Sequence, residues 1–211
     1  MSSNVQSGYD KWAPSYDEIE NRTRDLDKIV TKTILSKLLP STYALLELGC
    51  GTGKNTEWLI NNAKRLTAVD FSEEMLKKAR KKLKAHNLIF KKADITQEWP
   101  FENQSFDLIT CNLILEHVEK LDFVFSEGMR ILQPGGHFFI SELHPAKQYL
   151  GSKARFELNE EFISPQCFTH HVSDFFSSAF NNGFKCKEFN EWFDDNNRNS
   201  VPRLLSILFQ K

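Results

Sequence analysis

The stretch Leu45-Leu46-Glu47-Leu48-Gly49-Cys50-Gly51-Thr52-Gly53 decides the fold, because an apolar run of strand character leads straight into three alternate glycines. A helical pattern begins at about Lys54, so the glycines form a strand-to-helix turn. Glycine has no Cβ, and such a turn lets backbone N–H groups and a helix N-terminus approach a ligand closely. The expected ligand is therefore polar or anionic. Spacing separates the candidates. A Walker loop would need glycine at position 48 and a hydroxyl residue after Lys54, where this chain has Leu48 and Asn55. A dinucleotide fingerprint would need its third glycine at position 54, and Gly53 comes one residue early. Neither a nucleoside triphosphate nor NAD or FAD is expected.

Outward from the turn, strand and helix patterns alternate. Tyr43–Leu48 leads into the glycines, Leu66–Asp70 into a helix starting at Ser72, and Leu88–Ala93, Phe106–Asn112 and Gly136–Leu143 continue the series. The helix before the last of these is expected to stop at Gln133-Pro134-Gly135-Gly136. This alternation predicts a parallel, doubly wound α/β sheet. Beyond it, a helix from Ser173 carries Phe175, Phe176, Ala179 and Phe180 and stops at Asn182-Gly183. Phe184–Trp192 and Arg203–Phe209 then read as a closing hairpin on the sheet edge.

At 211 residues the chain is expected to form one domain. Residues 1–40 read as an N-terminal lid and helix, 41–143 as the ligand-binding core, 144–170 as a cap over the substrate, and 171–211 as the C-terminal helix and edge strands. The lid reading rests on Tyr9, Trp12 and Tyr16, aromatics too sparse to bury a helix face but suited to closing over a ligand. Ile29, Val30, Ile34, Leu35, Leu38 and Leu39 then recur at helical spacing up to Pro40. From His144 to Thr169 the rhythm lapses for about twenty-five residues, too long for a plain connector.

A formal net charge of −1 supplies no overall field to gather nucleic acid. The basic run Lys77, Lys78, Arg80, Lys81, Lys82, Lys84 is interleaved with Met75, Leu76, Ala79 and Leu83 at helical spacing, which marks a solvated helix face. Cys50, Cys111, Cys167 and Cys186 form no CxxC pair, so reduced thiols and a cytoplasmic setting are expected and a zinc knuckle is not. No stretch approaches the roughly 20 apolar residues of a membrane span.

Five motifs in register over Tyr43 to Leu143 carry a resemblance. Glu47-Leu48-Gly49-Cys50-Gly51-Thr52-Gly53 resembles the first motif of class I S-adenosylmethionine-dependent methyltransferases. Val69-Asp70-Phe71-Ser72-Glu73-Glu74-Met75-Leu76 resembles the second, Lys92-Ala93-Asp94-Ile95 the adenine motif, Phe106-Asp107-Leu108-Ile109 with Cys111-Asn112-Leu113 the fourth, and Leu132-Gln133-Pro134-Gly135-Gly136 the turn into the fifth strand. Tyr9 to Asp17 is similar to the opening of the ubiquinone/menaquinone-pathway branch, and His171 to Leu205 to the C-terminal half of related members. The resemblance implies a Rossmann-like fold with a mostly parallel seven-stranded sheet and an antiparallel edge hairpin. It also implies S-adenosylmethionine as cofactor, S-adenosylhomocysteine as product and a small-molecule acceptor, with a homodimer possible.

Carried onto this chain, the cofactor site comprises Tyr16, Glu47, Gly49, Cys50, Gly51, Gly53, Asp70, Phe71, Met75, Ala93, Asp94, Ile95, Asn112 and Leu113. Asp70, about twenty residues past the glycines, is placed to accept from both ribose hydroxyls, or else to serve as an N-terminal acid of the helix at Ser72. Phe71 lies against adenine or in the core. Asp94 accepts from the adenine amino group or caps a turn at Thr96. Glu47, a carboxylate in an apolar strand, and Asn112 face the methionine ammonium, although Asn112 suits a purely structural hydrogen bond equally well. No catalytic residue is singled out; His117 and His144, after the fourth and fifth strands, are the candidate proton acceptors, with His170 and His171 behind them. Cys167, His171 and Asp174 are the nearest approach to a metal ligand set, and no metal is expected. Two other functions stay open: a non-catalytic cofactor-binding partner subunit, and a nucleic-acid or protein methyltransferase. The Asn/Asp-Pro-Pro-aromatic motif of nucleic-acid amino-methyltransferases is replaced here by Cys111-Asn112-Leu113-Ile114.

Overall fold

The structure, a computed structural model, describes residues 3–38, 41–158 and 161–211. Met1, Ser2, Leu39 and Pro40, drawn above into the lid and its helix, and residues 159–160 of the cap lie outside the described residues. Along the chain come α1 (Ser3–Trp12), α2 (Arg22–Leu35), β1 (Ala44–Leu48), α3 (Thr56–Leu59), β2 (Arg65–Asp70), α4 (Glu73–Lys82), β3 (Leu88–Lys92) and β4 (Phe106–Asn112). There follow α5 (Leu121–Ile131), β5 (Leu132–Leu143), α6 (Pro145–Tyr149), β6 (Phe156–Leu158), β7 (Glu161–Ile163), α7 (Val172–Asn181), β8 (Lys185–Trp192) and β9 (Leu204–Gln210).

The main sheet has seven strands in the order β3-β2-β1-β4-β5-β9-β8. The chain builds outward from β1 in one direction and then from β4 in the other, so the loops after these two strands diverge and open a crevice at their C-terminal ends. β9 alone runs against the rest, and it lies between β5 and β8 rather than at the edge. Burial explains the placement. Leu204 to Phe209 are buried on both faces, whereas β8 alternates exposed and half-buried residues, so the apolar strand goes inside and the polar one blunts the edge.

Local chemistry sets the element ends. Ser72 caps α4 by accepting from Met75 N at 3.1 Å, and Met75, Leu76 and Ala79 are buried while Lys77, Lys81 and Lys82 face solvent. The helix expected from Lys54 is only the single turn of α3, continued as a 3₁₀ turn over Ile60–Asn62. β5 starts at Leu132, earlier than the glycines suggested. Leu132 pairs with Phe106 and His137 with Leu108, so Pro134-Gly135-Gly136 bulge out of the ladder instead of ending it.

Apolar residues bury on both faces of the sheet. On one, Phe125 meets Phe138, Phe184 and Phe209 in tilted or edge-on pairs, each buried ring contributing about 1.5–3 kcal/mol. On the other, Val30, Ile34 and Leu35 of α2 cover Leu45, Phe139 and Leu208. One expectation needs correcting: the N-terminal aromatics do bury a helix face. Val5, Trp12 and Ala13 are buried and α1 lies along α4, because Tyr9, Trp12 and Tyr16 pack against one another and so supply the apolar area that each lacks alone.

Candidate functional site

A cavity of about 850 Å³ lies at the C-terminal ends of β1, β2 and β4, with the glycine turn as one wall. Gly49 takes φ +67°, and a Cβ there would sit 2.4 Å from Ile114 Cγ2, so conformation and space both demand glycine. Gly51, at φ +53°, points its missing side chain into open space with nothing within 4 Å. Its N–H donates to Asp70 Oδ2 at 2.8 Å, while Asp70 Oδ1 accepts from Ser72 N at 2.9 Å. The carboxylate thus ties the glycine turn to the start of α4, combining the ligand-wall and helix-acid readings in one residue.

Three buried carboxylates line this cavity, Asp27, Glu47 and Asp70. Burial pushes all three up, Asp70 from 3.8 to about 6 and Glu47 from 4.5 to about 8, since the partners they have do not offset the loss of water. Glu47 Oε2 accepts from Thr56 Oγ1 at 2.6 Å, and Asp27 accepts from Asn55 Nδ2 at 2.9 Å and from Asn112 Nδ2 at 2.8 Å. The amide of Asn112 also donates to Thr31 Oγ1 at 2.9 Å, yet its Oδ1 is buried with no hydrogen-bond partner. A wall of carboxylates plus an orphaned carbonyl is a site built for a cation that donates hydrogen bonds.

A second, more open cavity of about 1480 Å³ adjoins the first, and Tyr9, Tyr16, Arg24 and Leu113 line both. Leu113 leaves β4 at φ +56°, a strained conformation for leucine. Arg24 is buried on the shared wall, its guanidinium 4.1 Å from the Tyr16 ring centre. At the same junction Tyr9 Oη and His117 Nε2 are 2.8 Å apart, and His117 Nδ1 is 2.7 Å from the carbonyl of Gln166. A carbonyl only accepts, so Nδ1 carries the proton and Nε2 takes the Tyr9 hydroxyl hydrogen.

The N-terminal segment is latched over the cavity at several points, among them Lys78 Nζ on the Pro14 carbonyl at 2.5 Å and Lys82 Nζ on Asp17 Oδ2 at 2.7 Å. Besides Tyr9 on His117, Ser72 Oγ donates to Asp10 Oδ1 and Thr52 Oγ1 to Asp17 Oδ1, each at 2.6 Å.

All of the cofactor residues named from sequence line the first cavity except Gly53 and Asp94. Gly53 faces α4, where a Cβ would stand 2.8 Å from Leu83 Cδ1. Asp94 Oδ1 accepts from Thr96 N and Oγ1 at 2.9 and 2.7 Å, the turn-capping alternative. Of the histidines, His117 lines the cavity, whereas His144 caps α6 by accepting from Ala146 N at 3.1 Å and pairs with Glu191 at 3.0 Å. His170 Nε2 donates to Val118 O, and His171 and Asp174 form a capping box on α7. Cys167 therefore does not meet them; it lies with Glu116 and His117, its Sγ 3.9 Å from His117 Nδ1. Tyr9, read from sequence as part of the lid, also lines the cavity, and sequence reading missed Arg24, Asp27, Thr52, Lys54, Asn55 and Ile114 as lining residues. Asp27 had a signal: it falls on the inward face of α2, in helical register with Val30 and Ile34.

Residues 46–140 match the family model described as a methyltransferase domain. Over this segment, a little under half of the chain, the core is similar to methyltransferase domains. Demethylmenaquinone methyltransferase of Leptospira interrogans is 31% identical over 144 residues, which cover 64% of this chain and 58% of that protein. The chain thus spans less than two thirds of this relative's length. An S-adenosylmethionine-dependent methyltransferase of Mesorhizobium loti superposes with a TM-score of 0.71 at 21% identity, covering 86% of this chain and 97% of that one. The [4+2]-cyclase SpnF superposes at 0.75 with 17% identity over 100% and 97% of the two chains, so this fold by itself does not decide the chemistry.

S-adenosylmethionine is the cofactor of the methyltransferase domain, and the residues present fit it. Its ammonium suits the orphaned Asn112 Oδ1 with Asp27 and Glu47 close by, and the open space at Gly51 beside Asp70 leaves room for its ribose.

Proposed function

We propose that the protein methylates a small-molecule acceptor. The carrying observation is the pairing of two cavities: a carboxylate-walled one under the latched α1, and an adjoining open one that reaches it past Tyr9 and Leu113. When bound, S-adenosylmethionine supplies an electrophilic methyl group on a sulfonium, already activated for in-line displacement. Asp27, Glu47 and Asn112 hold the ammonium, Asp70 accepts from the ribose hydroxyls, and Phe71, Met75, Ala93 and Ile95 enclose the adenine. Latching of the N-terminal segment by Asp10 on α1 and Asp17 in the turn after it excludes water from the reacting atoms.

Tyr9 and His117 act on the acceptor. Because the Tyr9 hydroxyl hydrogen is held by His117 Nε2, its oxygen lone pairs are free to accept the acceptor's proton. As the acceptor proton moves to Tyr9 Oη, the Tyr9 proton moves to Nε2, leaving an imidazolium whose Nδ1–H stays on the Gln166 carbonyl. A cytoplasmic setting fits the four free cysteines, and no helix among the described residues is long and apolar enough to cross a membrane. The test is a screen of small hydroxyl, amine and thiol acceptors read by S-adenosylhomocysteine release, repeated with Tyr9→Phe. Turnover in the wild type that falls by about two orders of magnitude in the variant supports the assignment; no release with any acceptor class refutes it.

A further inference from the structure

We propose that Glu116, His117 and Cys167 form a binding site for a zinc ion and, resting on the reading above, that zinc there competes with Tyr9 for His117 and so switches methyl transfer off. A carboxylate oxygen, a ring nitrogen and the sulfur of these residues lie within 4.8 Å of one another, the one group of three such ligand atoms among the described residues. Ligand atoms around a tetrahedral zinc stand about 3.3–3.8 Å apart, given bonds of about 2.0–2.3 Å, so an inward movement of about 1 Å closes the set. Imidazole together with thiolate selects zinc over magnesium or calcium, which prefer oxygen alone.

The fold holds these groups in place. Glu116 and His117 end the 3₁₀ turn after β4, whereas Cys167 belongs to the segment before α7. Three hydrogen bonds clasp the two segments together: Phe168 N donates to Glu116 O at 2.6 Å, His117 Nδ1 to Gln166 O at 2.7 Å and His170 Nε2 to Val118 O at 2.7 Å. An Nδ1–H held on a backbone carbonyl is how metal-bound histidines are oriented, because it leaves the Nε2 lone pair to the ion. Here Nε2 stands 4.0 Å from Glu116 Oε1. Glu116 and His117 are both more than nine-tenths buried, and Glu116 Oε2 has no hydrogen-bond partner. A buried oxygen of that kind is costly, and a cation beside it offsets the cost.

Without an ion the Cys167 thiol keeps its proton. Burial, and after it the Glu116 carboxylate, push the thiol up to about 12 against the Ala154 N–H and the Lys153 charge, which favour thiolate. The sulfur lies 3.3 Å from the Pro165 carbonyl, to which it donates. Zinc binding forms bonds to a Glu116 oxygen, His117 Nε2 and Cys167 Sγ, and the thiol proton leaves to solvent. One carboxylate, one thiolate and a neutral imidazole cancel the charge of the ion, as a buried site requires. Tyr9 loses its partner in the exchange. Its hydroxyl now donates to Nε2 at 2.8 Å, and once zinc holds that lone pair the relay has no place for the acceptor's proton.

Zinc and cobalt titrations of the metal-free full chain test this. Zinc is expected to bind once per chain with micromolar or tighter affinity and to release a proton, and cobalt to give a thiolate charge-transfer band. Cys167→Ser and, separately, Glu116→Gln should each weaken zinc binding by about tenfold or more, and the cobalt band should vanish in Cys167→Ser. Tyr9→Phe should bind zinc more tightly than the wild type, because the competing hydroxyl is gone. Zinc should also suppress S-adenosylhomocysteine release by the wild type at a concentration that leaves Cys167→Ser active. Absence of zinc binding, affinity unaltered in both ligand variants, binding no tighter in Tyr9→Phe, or full wild-type turnover with zinc bound each overturns the inference. A protein that binds zinc as expected but releases no S-adenosylhomocysteine with any acceptor would instead overturn the methyltransferase reading, and with it the inhibitory role, while the metal site stands.

Discussion

Asp70 shows how much one side chain can be asked to do. It holds Gly51 N and Ser72 N, lines the cavity, and has its carboxyl raised to about 6 by burial. Asp70→Ala is expected to weaken S-adenosylhomocysteine binding by about 1.5–3 kcal/mol, the scale for hydrogen bonds to a charged group; calorimetry checks it, and unchanged affinity with a collapsed apo stability would leave only the helix-end role. The raised value also has a sign. Folded apo protein holds the Asp70 proton more tightly than the unfolded chain, so this group costs nothing below about pH 4 and progressively destabilises the apo fold as pH rises from about 4 to 6. Cofactor hydrogen bonds favour the ionised form, so affinity for S-adenosylhomocysteine should climb between about pH 5 and 7 in the wild type and lose that climb in Asp70→Asn. A flat wild-type profile would count against the ribose assignment. Gly49→Ala is expected to cost both stability and affinity, because the new methyl meets Ile114 and the φ of +67° is strained for any L side chain.

Among the elements, α1 and α4 define how the site closes. Three of the latches are side-chain hydrogen bonds to carboxylates on the N-terminal segment, Ser72 on Asp10 and both Thr52 and Lys82 on Asp17. Replacing both acids by alanine should leave a folded protein that is cut faster by protease near Trp12, with weaker cofactor affinity and restored protection at saturating S-adenosylhomocysteine. Equal cleavage rates in variant and wild type, with and without ligand, would falsify the lid role. Truncating residues 1–17 is a harsher operation than their composition suggests, since Val5, Trp12 and Ala13 are buried. The helical period, the cap at Ser72 and the glycine-stopped α7 were legible because each depends on residues within a turn of one another. The mutual packing of Tyr9, Trp12 and Tyr16 was not, because it is a tertiary property of side chains each too isolated to show a stripe.

At the scale of the whole molecule, the sheet explains why the chain spends so many phenylalanines. Phe209 on β9 touches Phe125, Phe176 and Phe184 and is fully buried. Phe209→Ala should cost roughly 3–5 kcal/mol in chemical denaturation while the folded fraction keeps its cofactor affinity, since the ring lies outside the cofactor cavity. The order of the strands places β9 inside the sheet and β8 at its edge, which alternation alone could not say: a hairpin's pattern is the same whichever strand pairs inward. The sequence by itself determined the α/β class, the glycine turn, the acid at the end of β2 and the motifs along one sheet edge, for these are short-range patterns written contiguously in the chain. Only the tertiary structure decided which distant groups join them. Asp27 from α2 meets Asn112 across 85 positions, and Tyr9 meets His117 across 108; Cys167 turns to His117 rather than to the histidine and acid near it in sequence. Such pairings depend on how helices dock on the sheet, a matter of summed apolar burial that no local pattern records.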